Sequence, residues 1–210
     1  MIIYFYAGNR KLASMSNNIL TKMAKTQREN LCVYKFRWKI YSEEKFINPN
    51  KFPSNEFKDK YDKHSINFIA YSKGEIVGVA RLIKFSKIGL PVLNSHNIKI
   101  PEYIDNMNNV VEMGRFMIGK QYRKQNHEIT ICIAKQLYKC VLNNKFKWVL
   151  AEMPEKLKEL SNCLGFNFEV LPEKLPTSIH LTERAIISGY HEKHRLFPMI
   201  SNVDMMVPIF

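Results

Sequence analysis

The chain has 210 residues, of which 46% are hydrophobic and 12% aromatic, and its net charge is +13. This composition supports a packed core and excludes a largely disordered chain, and no run of about 18 apolar residues predicts a membrane-spanning helix. The four cysteines form neither a CxxC pair nor a spacing typical of zinc ligands, so we expect a reduced, cytoplasmic protein without a structural metal.

The first predicted element is a helix that begins after Thr26. Thr26 and Glu29 have the spacing of a capping box, in which each side chain satisfies a free backbone amide of the first turn. Apolar residues recur at helical spacing as far as Tyr41, and the helix is predicted to end near Lys45. Residues 47–65 contain two prolines and three asparagines, which predicts a long loop of the kind that often carries function.

A β-hairpin follows this loop. Its strands are predicted at residues 67–71 and 76–85, joined by a turn that contains Gly74. After a second loop rich in proline and asparagine, residues 110–118 are predicted to form a third strand.

Helices and strands alternate in the second half of the chain. A helix is predicted there from an apolar stripe made of Ile129, Ile133, Leu137, Cys140 and Val141. Residues 147–151 are predicted to form a short strand, and the next helix begins at Pro154 and stops at Gly165, where a left-handed cap suits glycine. Residues 166–171 are predicted to form another strand, whereas the pattern after Pro172 is ambiguous.

The order of these elements predicts a single α/β domain over residues 1–210, with a central twisted sheet flanked by helices. The sheet is expected to be mixed. Its hairpin is antiparallel, whereas the helical crossover after Ile118 makes strand 147–151 parallel to the strand before it.

Six charged side chains interrupt or adjoin the apolar segments: Arg37, Asp59, Asp62, Arg81, Glu112 and Arg115. Each has an ordinary structural explanation on its own, such as an arginine that reaches the helix surface, a solvated turn, or a structural ion pair between Glu112 and Arg115. Together they favour one mutually compensated cluster, because removing an ion from water costs several kcal/mol unless a partner is close. Such clusters are typical of substrate sites.

The order and spacing of these residues resemble the acyl-homoserine-lactone synthases. The shared motifs are Arg37-x-x-x-Tyr41, Asp59-x-x-Asp62, Arg81 and Glu112-x-x-Arg115. The stretches FRWKIYSEEKF, DKYDKHSINFIAYSKGEIVGVARLI and VVEMGRF are still more similar to the long-chain N-acyl amino acid synthases, as are LAEMPEKLKELSNCLGF and SGYHEKH. The resemblance spans roughly residues 33–194 and implies the GNAT acyltransferase fold that both groups share.

Two departures from these groups bear on the substrates. The lactone synthases carry a tryptophan near the position of Phe46 and Ile47, in the pocket for the methionine-derived substrate, so its absence counts against S-adenosylmethionine as the acceptor. The GNAT pyrophosphate loop is rich in glycine, whereas here it reads GKQYRKQNHE. Glycines let backbone amides approach a pyrophosphate, so their absence disfavours a coenzyme A donor and favours the phosphopantetheine arm of a carrier protein.

The resemblance implies transfer of a fatty acyl group from an acyl carrier protein, with acyl-coenzyme A as the other possible donor, to the α-amine of an amino acid. No bound cofactor is expected. Glu112 is expected to deprotonate the amine, directly or through a water. The predicted acceptor-binding residues are Arg37, Tyr41, Asp59, Asp62, Arg81 and Arg115. The arginines would bind the acceptor's carboxylate, and the aspartates would orient them or meet its ammonium.

On the donor side, residues of the third strand are expected to contact the acyl chain or the pantetheine arm, namely Met113, Met117 and Ile118. Backbone amides near the last two would stabilise the oxyanion if the strand splays there. The predicted docking surface for the acidic carrier protein consists of Lys120, Arg123 and Lys124. Peripheral contact with a membrane is a further expectation, for release of a lipid product.

One geometric problem concerns Glu112 and Arg115. Residues three apart in a regular strand face opposite sides of the sheet, so these two cannot both face one pocket. Either Gly114 marks a bulge that re-aims Arg115, or Arg115 braces the far side. We expect Glu112 at the reacting centre and Arg115 as a bridge to the acidic loop.

Other functions stay open at this point. Two are enzymatic: a lactone synthase that uses S-adenosylmethionine, and a general GNAT acetyltransferase that uses acetyl-coenzyme A. A nucleic-acid-binding module is disfavoured, because the positive charges are scattered and no recognition motif is present. The net charge also fits an anionic membrane surface or a solvated lysine-rich surface. None of the six histidines is assigned a catalytic role.

Overall fold

A seven-stranded mixed sheet forms the centre of the computed structural model, which describes residues 19–123, 127–172 and 195–208. Its strands are β1 (Ile19–Met23), β2 (Ser65–Ser72), β3 (Glu75–Lys84), β4 (Val110–Ile118), β5 (Trp148–Met153), β6 (Glu169–Val170) and β7 (Phe197–Asn202). Its helices are α1 (Gln27–Glu43), α2 (Pro91–His96), α3 (Glu128–Asn143) and α4 (Glu155–Cys163). The strands lie in the order β1-β2-β3-β4-β5-β7-β6. Every neighbouring pair is antiparallel except β4 and β5, which are parallel, so the predicted α/β class and mixed sheet are confirmed.

Helix α1 begins as its sequence predicts. The Glu29 backbone N–H donates to Thr26 Oγ1 at 3.1 Å, and the Thr26 backbone N–H donates to Glu29 Oε2 at 2.9 Å. Two free amides of the first turn are thereby satisfied, which fixes the start of the helix. The helix buries Val33 and Ile40 against the sheet and carries Arg37 on the same buried side.

The sheet has a hydrophobic core on each face. Helices α3 and α4 cover one face, where the predicted apolar stripe of α3 packs on residues such as Phe68 and Leu82. Helix α1 covers part of the other face, over Ile69 and Val79. Helix α2 covers the rest of that face, over Leu150. Because side chains alternate along a strand, successive buried residues of the central strands belong to opposite faces, except at the bulges.

Strands β4 and β5 separate in the middle of the sheet. Their parallel pairing runs from Val110 opposite Trp148 to Met113 opposite Ala151, and β4 then continues to Ile118 without a partner on β5. The backbone edge of β4 beyond Met113 is therefore open on its β5 side. This opening lies next to Glu112 and Arg115, the two charged residues of β4 that the sequence predicted for the site.

Helix α4 ends as predicted, at a glycine in the left-handed region. Gly165 has a φ of +86°, and a Cβ at this position would lie 2.0 Å from the backbone oxygen of Val207. The Phe166 N–H donates to the Ser161 oxygen at 3.0 Å, which closes the last turn of the helix. Both the backbone angle and the close approach of the 207–208 segment require glycine here.

The sequence analysis missed three elements. Strand β1, helix α2 and strand β7 were not predicted, and only Glu169–Val170 of the predicted strand 166–171 pairs in the sheet. Across the three described ranges, no helix combines the length and the apolar character that crossing a membrane requires.

Candidate active site

A buried group of charged side chains lies between α1 and the sheet. We call it the charge cluster, and its members are Arg37 on α1, Asp59 and Asp62 in the loop before β2, Arg81 on β3 and Arg115 on β4. The sequence predicted that these five would converge, and the structure brings them together. They come from four separate parts of the chain, so the cluster also fastens those parts to one another.

Each arginine of the charge cluster donates to an aspartate. Arg37 Nη1 lies 2.7 Å from Asp62 Oδ1. Arg81 Nη1 lies 2.8 Å from Asp59 Oδ1 and 3.0 Å from Asp62 Oδ1. Arg115 Nη2 lies 2.9 Å from Asp59 Oδ2. Asp59 therefore links β3 to β4, and Asp62 links α1 to β3.

The loop that carries the two aspartates holds them in place. Asp59 caps a short 3-10 helix (Lys60–His64), because the Tyr61 N–H donates to Asp59 Oδ1 at 3.0 Å. The Asp59 N–H in turn donates to Asp62 Oδ2 at 2.8 Å. The spacing of three is thus a capping box, and the same carboxylates serve as helix cap and as partners of the arginines.

The charge cluster is withdrawn from solvent yet ionised. Side-chain exposure is 0% for Arg37 and 5% for Asp62. Burial alone would raise the pKa of Asp59, but the charges of Arg81 and Arg115 and their hydrogen bonds hold it well below its ordinary value. The pKa of Asp62 is lowered against the same effect of burial by Arg37 and Arg81. Since arginine stays protonated, three cations face two anions and one positive charge is in excess.

Strand β4 bulges where it carries Arg115. The pairing with β3 shifts there, so that Arg115 and Phe116 together oppose Ala80, and Arg115 has a φ of +52°. The bulge turns Arg115 to the α1 side of the sheet, where its Nη1 donates to Tyr41 Oη at 2.8 Å. Of the two alternatives left open for Glu112 and Arg115, the bulge is therefore the one observed, and its left-handed residue is Arg115 itself and not Gly114.

Two aromatic rings enclose the Arg115 guanidinium. Its Cζ lies 5.1 Å from the centre of the Phe57 ring and 5.6 Å from that of Tyr41. Rings at this distance stabilise a cation through their negative faces and also keep water away from it. Tyr41 therefore contributes both its ring and its hydroxyl, and it joins the cluster as the sequence predicted.

Glu112 lies on the same face of the sheet but outside the charge cluster. Within the described ranges its carboxylate accepts one hydrogen bond, from the Val92 N–H of α2 at 2.9 Å, and no cluster arginine donates to it. The expectation that all six ionised groups meet is therefore wrong for Glu112. The reason is α2, an element that the sequence analysis missed, which covers Glu112 and supplies its partner.

The protonation of Glu112 differs from that of the aspartates. Burial raises its pKa to about 8, against the hydrogen bond from Val92, and the charge of Glu152 adds to the rise. Arg81 and Arg115 act in the opposite direction but are outweighed. A carboxyl group with a pKa near neutral pH is well matched to accept and release a proton. Glu112 also lies two residues before Gly114, the first residue of β4 without a partner on β5.

Sequence reasoning missed three polar residues near these groups. Asn67 of β2 is 2% exposed and accepts a hydrogen bond from Arg37 Nη2. His96 of α2 and Glu152 of β5 are joined by a contact of 2.7 Å between Nε2 and Oε1. The signal for Glu152 was present, because it is a carboxylate in the apolar run WVLAEM, as Glu112 is in VVEMGRF. His96 gave no such signal, since its segment was interpreted as a loop.

The three predicted donor-side residues do not share one face. Met117 packs in the core under α1, whereas Met113 and Ile118 belong to the core under α3. Met117 and Ile118 are consecutive, so they face opposite sides of the sheet, and the bulge puts Met113 on the side of Ile118 instead of that of Met117. All three nevertheless lie on the part of β4 at or beyond the opening.

Two of the three predicted docking residues are described. Lys120 is exposed, in the turn that follows β4. Arg123 is only 16% exposed, and its guanidinium contacts Glu44 Oε1 at 2.6 Å and the Ile118 oxygen at 2.9 Å. Lys124 lies outside the described residues. Of the described pair, Lys120 is thus the one whose charge faces solvent.

Across residues 19–123, 127–172 and 195–208, no three His, Cys, Asp or Glu side chains form a group that could hold a metal ion. The buried polar atoms without a hydrogen-bond partner in these ranges include Nε of Arg37, of Arg81 and of Arg115. The charge cluster therefore combines an excess positive charge with unused donors, a combination that suits an anionic group.

Comparison with protein families gives one match over most of the chain. The model of the N-acyl amino acid synthase FeeM family matches residues 32–167. The matched segment includes every member of the charge cluster, Glu112, His96 and Glu152. No curated protein matches the sequence significantly.

Solved structures of two kinds of synthase share the fold. The acyl-homoserine-lactone synthase LasI superposes with a TM-score of 0.62 at 14% identity, covering 88% of this chain and 90% of its own. FeeM, an N-acyl amino acid synthase from uncultured soil microbes, gives 0.61 at 10% identity and covers 89% and 91%. BjaI, a CoA-dependent acyl-homoserine lactone synthase solved with SAM and isopentyl-CoA, gives 0.61 at 17% and covers 89% and 83%. The predicted GNAT-like fold is confirmed by these likenesses.

Proposed function

The chain belongs to the N-acyl amino acid synthase FeeM family and is an acyltransferase, and from this premise we propose that it acylates the α-amine of an amino acid. The donor in this proposal is the phosphopantetheine thioester of an acyl carrier protein, and the product is an N-acyl amino acid. The observation that carries the proposal is Glu112, a buried carboxyl group with a pKa of about 8 beside the opening between β4 and β5.

Glu112 has the properties that this reaction needs in a base. An α-amine reaches the enzyme mainly as an ammonium ion, which cannot attack a carbonyl carbon until it loses a proton. The ionised Glu112 carboxylate takes that proton. A carboxylate with an ordinary pKa would be a much weaker proton acceptor. Burial raises the pKa of Glu112 and so makes it a stronger one.

The bond changes balance without any other reactant. The neutral amine nitrogen attacks the thioester carbonyl carbon, the N–C bond forms, and the C–S bond breaks. The proton that the nitrogen still has in excess passes to the leaving pantetheine thiolate, and Glu112 returns its own proton to solvent. The unpaired edge of β4 beyond Met113 is where backbone amides would stabilise the negative oxygen of the intermediate.

The charge cluster is the proposed site for the acceptor's carboxylate. It carries one positive charge in excess, and Arg115, at 16% side-chain exposure, is the most accessible of its arginines. A guanidinium binds a carboxylate through paired hydrogen bonds. Because Arg115 and Glu112 lie on the same face of β4, an α-amino acid would place its carboxylate at one and its amine at the other.

The carrier protein is proposed as donor on grounds of charge. The chain has a net charge of +13, and carrier proteins are acidic, so the encounter would be favoured electrostatically. The exposed Lys120 follows the end of β4 along which that strand has no partner on β5.

A second candidate is a lactone synthase that acts on S-adenosylmethionine. The likeness to the structures of LasI and BjaI favours it, and BjaI was solved with SAM and isopentyl-CoA. Phe46 and Ile47, near which the sequence resemblance to the lactone synthases implies a tryptophan, are buried at 4% and 7% exposure in the core under α1. This apolar packing favours the amino acid acceptor over the sulfonium compound.

One acceptor-profiling experiment separates these functions. The purified protein is incubated with acyl carrier proteins that bear short, medium or long acyl chains and with the standard amino acids, and in parallel with S-adenosylmethionine. Products are identified by mass spectrometry, with Glu112→Gln as the inactive control. We expect an N-acyl amino acid only with the active protein. Formation of an acyl-homoserine lactone instead would establish the second candidate, and the same yield from acyl-coenzyme A would overturn the carrier protein as the preferred donor.

A further inference from the structure

His96 and Glu152 form a second buried acid–base pair on the face of the sheet that carries Glu112. His96 Nε2 lies 2.7 Å from Glu152 Oε1, with side-chain exposures of 1% and 20%. The proposed mechanism gives neither residue a role. A buried histidine and its carboxylate partner hold each other in one orientation.

The position of Glu152 relates it directly to Glu112. Glu112 pairs with Leu150 across the parallel strands, and Glu152 is the next residue of β5 on the same face. Glu152 follows Ala151, the last residue of β5 that pairs with β4, so it stands on the β5 side of the opening. Glu112 lies in the paired segment just before the opening, so the two carboxylates are diagonal neighbours on this face.

Helix α2 holds both carboxylates. Its backbone N–H at Val92 donates to Glu112, and its last residue, His96, contacts Glu152. One rigid turn of helix thus fixes the two acids relative to each other. The Val92–Glu112 hydrogen bond and the His96–Glu152 contact do not depend on each other. That both are made by α2 points to a joint function and not only to packing.

We propose that His96 and Glu152 are a positioning pair for Glu112: the Glu152 carboxylate, held by His96, lies diagonally across from Glu112 on the same face, where the opening begins, and favours transfer of the acceptor's ammonium proton to Glu112. The proposal rests on the proposed function for the role of Glu112. A second negative charge at the opening attracts the cationic amine and makes Glu112 a better proton acceptor. The proton moves from the amine nitrogen to a Glu112 oxygen, and Glu152 itself exchanges no proton in this step.

The charged groups around Glu112 support this assignment. In the described part of the chain, those that act on it are Glu152 from β5, Arg81 from β3 and Arg115 from β4, while α2 contributes the Val92 N–H. The two arginines lower the pKa of Glu112, whereas burial and the charge of Glu152 raise it. Without Glu152 the charges of the arginines would be opposed by burial alone.

The test is a carboxyl-carbon NMR titration that needs no substrate. The native protein and its variants are labelled at the glutamate side-chain carboxyl carbon, and Glu112→Gln assigns the Glu112 signal. We expect a native midpoint near the value of about 8. In Glu152→Gln the midpoint should fall on the order of 1 pH unit, because a nearby negative charge is removed. Glu152→Asp, which keeps the charge, should stay close to native.

Two further variants make the result specific. Glu159→Gln removes the same charge from an exposed position on α4, on the opposite face of the sheet, and should leave the midpoint unchanged. His96→Gln can keep a hydrogen bond to Glu152 without the imidazole, and we expect a smaller fall than in Glu152→Gln. An unchanged midpoint in folded Glu152→Gln, or an equal fall in Glu152→Asp, would overturn the proposal.

The titration also separates this inference from the proposed function. If the midpoint falls in Glu152→Gln while no acyl transfer is found with any donor and acceptor, the proposed function fails and the coupling of the two carboxylates stands. If transfer is found, Glu152→Gln should lower kcat and move the acidic limb of its pH profile to lower pH, as the NMR midpoint moves. A loss of activity without that movement would indicate a merely structural role.

Discussion

At residue 112 a carboxylic acid occupies a strand position surrounded by apolar side chains. It is 4% exposed and has one hydrogen bond, from the Val92 N–H, in the described part of the chain. A protein that needed only a stable core would gain by replacing it, since an acid in such a place is costly to ionise. The raised pKa of Glu112 results from this cost of ionising a buried acid.

This reasoning predicts how Glu112→Gln changes stability with pH. Burial raises the Glu112 pKa from 4.5 to about 8, so between these values the folded state holds a proton that the unfolded chain has released. The contribution of Glu112 to the free energy of unfolding must then fall as pH rises through this window. Glutamine does not titrate. We expect the variant to gain roughly 2–4 kcal/mol relative to the native protein between about pH 5 and about pH 8.

Urea denaturation of both proteins across that pH range measures the difference. Glutamine can still accept the Val92 N–H, so the variant should fold, and it should have no acyltransferase activity. Equal stability differences at both ends of the range would show that Glu112 titrates in the folded state as it does in the unfolded chain. Full activity of a folded Glu112→Gln would remove it from the reaction.

At the scale of secondary structure, the charge cluster attaches the 47–65 loop to the sheet through ion pairs. Asp59 receives hydrogen bonds from Arg81 and Arg115 and also caps the 3-10 helix that follows it. The loop has little other regular structure, so its position depends on these contacts. Removing one partner from a buried set of ion pairs leaves an uncompensated charge, which is strongly destabilising.

We therefore expect Asp59→Asn to lower the free energy of unfolding by about 3–5 kcal/mol at neutral pH. The lowered pKa of Asp59 means that its stabilisation is complete above the ordinary value of 3.8 and is lost as pH falls below it. The difference between variant and native protein should accordingly shrink in acid. Urea denaturation measures it, and the exposed Asp105→Asn is the matched control that should change little. A loss as small as that of the control would mean that the loop is held by its apolar contacts instead.

Helix α4 offers a prediction that is independent of function. Gly165 has a left-handed backbone, and a Cβ would lie 2.0 Å from the Val207 oxygen. Gly165→Ala therefore combines an unfavourable φ with a clash against backbone, and we expect a loss of about 2 kcal/mol or more. Thermal denaturation measures this, with Gly74→Ala as a partner variant that shares the positive φ but meets no atom within 4 Å. Equal losses would show that the backbone angle alone matters.

The elements that the sequence predicted carry a clear local signal. Helix α3 has a buried and an exposed side, and strands β2 and β3 flank the turn at Gly74 and agree with their predicted bounds within about two residues. Strand β7 has no such signal, because Pro198 lies within it. Helix α2 is too short for helical periodicity to appear.

The candidate site was likewise predictable only where the local sequence carries a signal. The charge cluster was predictable because its arginines lie in apolar segments and its aspartates lie in the loop beside them, so that burial of the arginines demanded partners. The separate position of Glu112 was not predictable, since it depends on α2, and neither was the pairing of His96 with Glu152. Tertiary contacts made by an unrecognised helix leave no mark in local sequence. A bulge was foreseen from Gly114, but its placement at Arg115 is set by pairing with β3.

At the scale of the whole molecule, the positive charge is the property that acts beyond the site. A net charge of +13 creates a field that attracts an acidic partner from a distance, and the orientation of that partner depends on exposed charges near the opening. Arg123 is tied to Glu44 and to the Ile118 oxygen, so it serves chiefly to hold the turn after β4. Lys120 is exposed in that turn.

We predict that Lys120→Glu weakens the use of a carrier-protein donor without harming the chemistry. Reversal of one charge at the rim of a docking surface should raise KM for the acyl carrier protein about fivefold, equivalent to about 1 kcal/mol, with kcat little changed. Kinetics with the same acyl group on coenzyme A should be almost unaffected, because that donor presents no protein surface. The effect should also diminish as salt is added, since exposed charges are screened.

The matched control for this prediction is Lys145→Glu. Lys145 is equally exposed but lies beyond the far end of α3, about 24 Å along the helix axis from its start, so it should leave KM for the carrier protein near the native value. Equal increases in both variants would show that total charge, and not a surface at Lys120, guides the donor. An increase with coenzyme A as large as that with the carrier protein would place Lys120 at the pantetheine arm itself instead of at a protein interface.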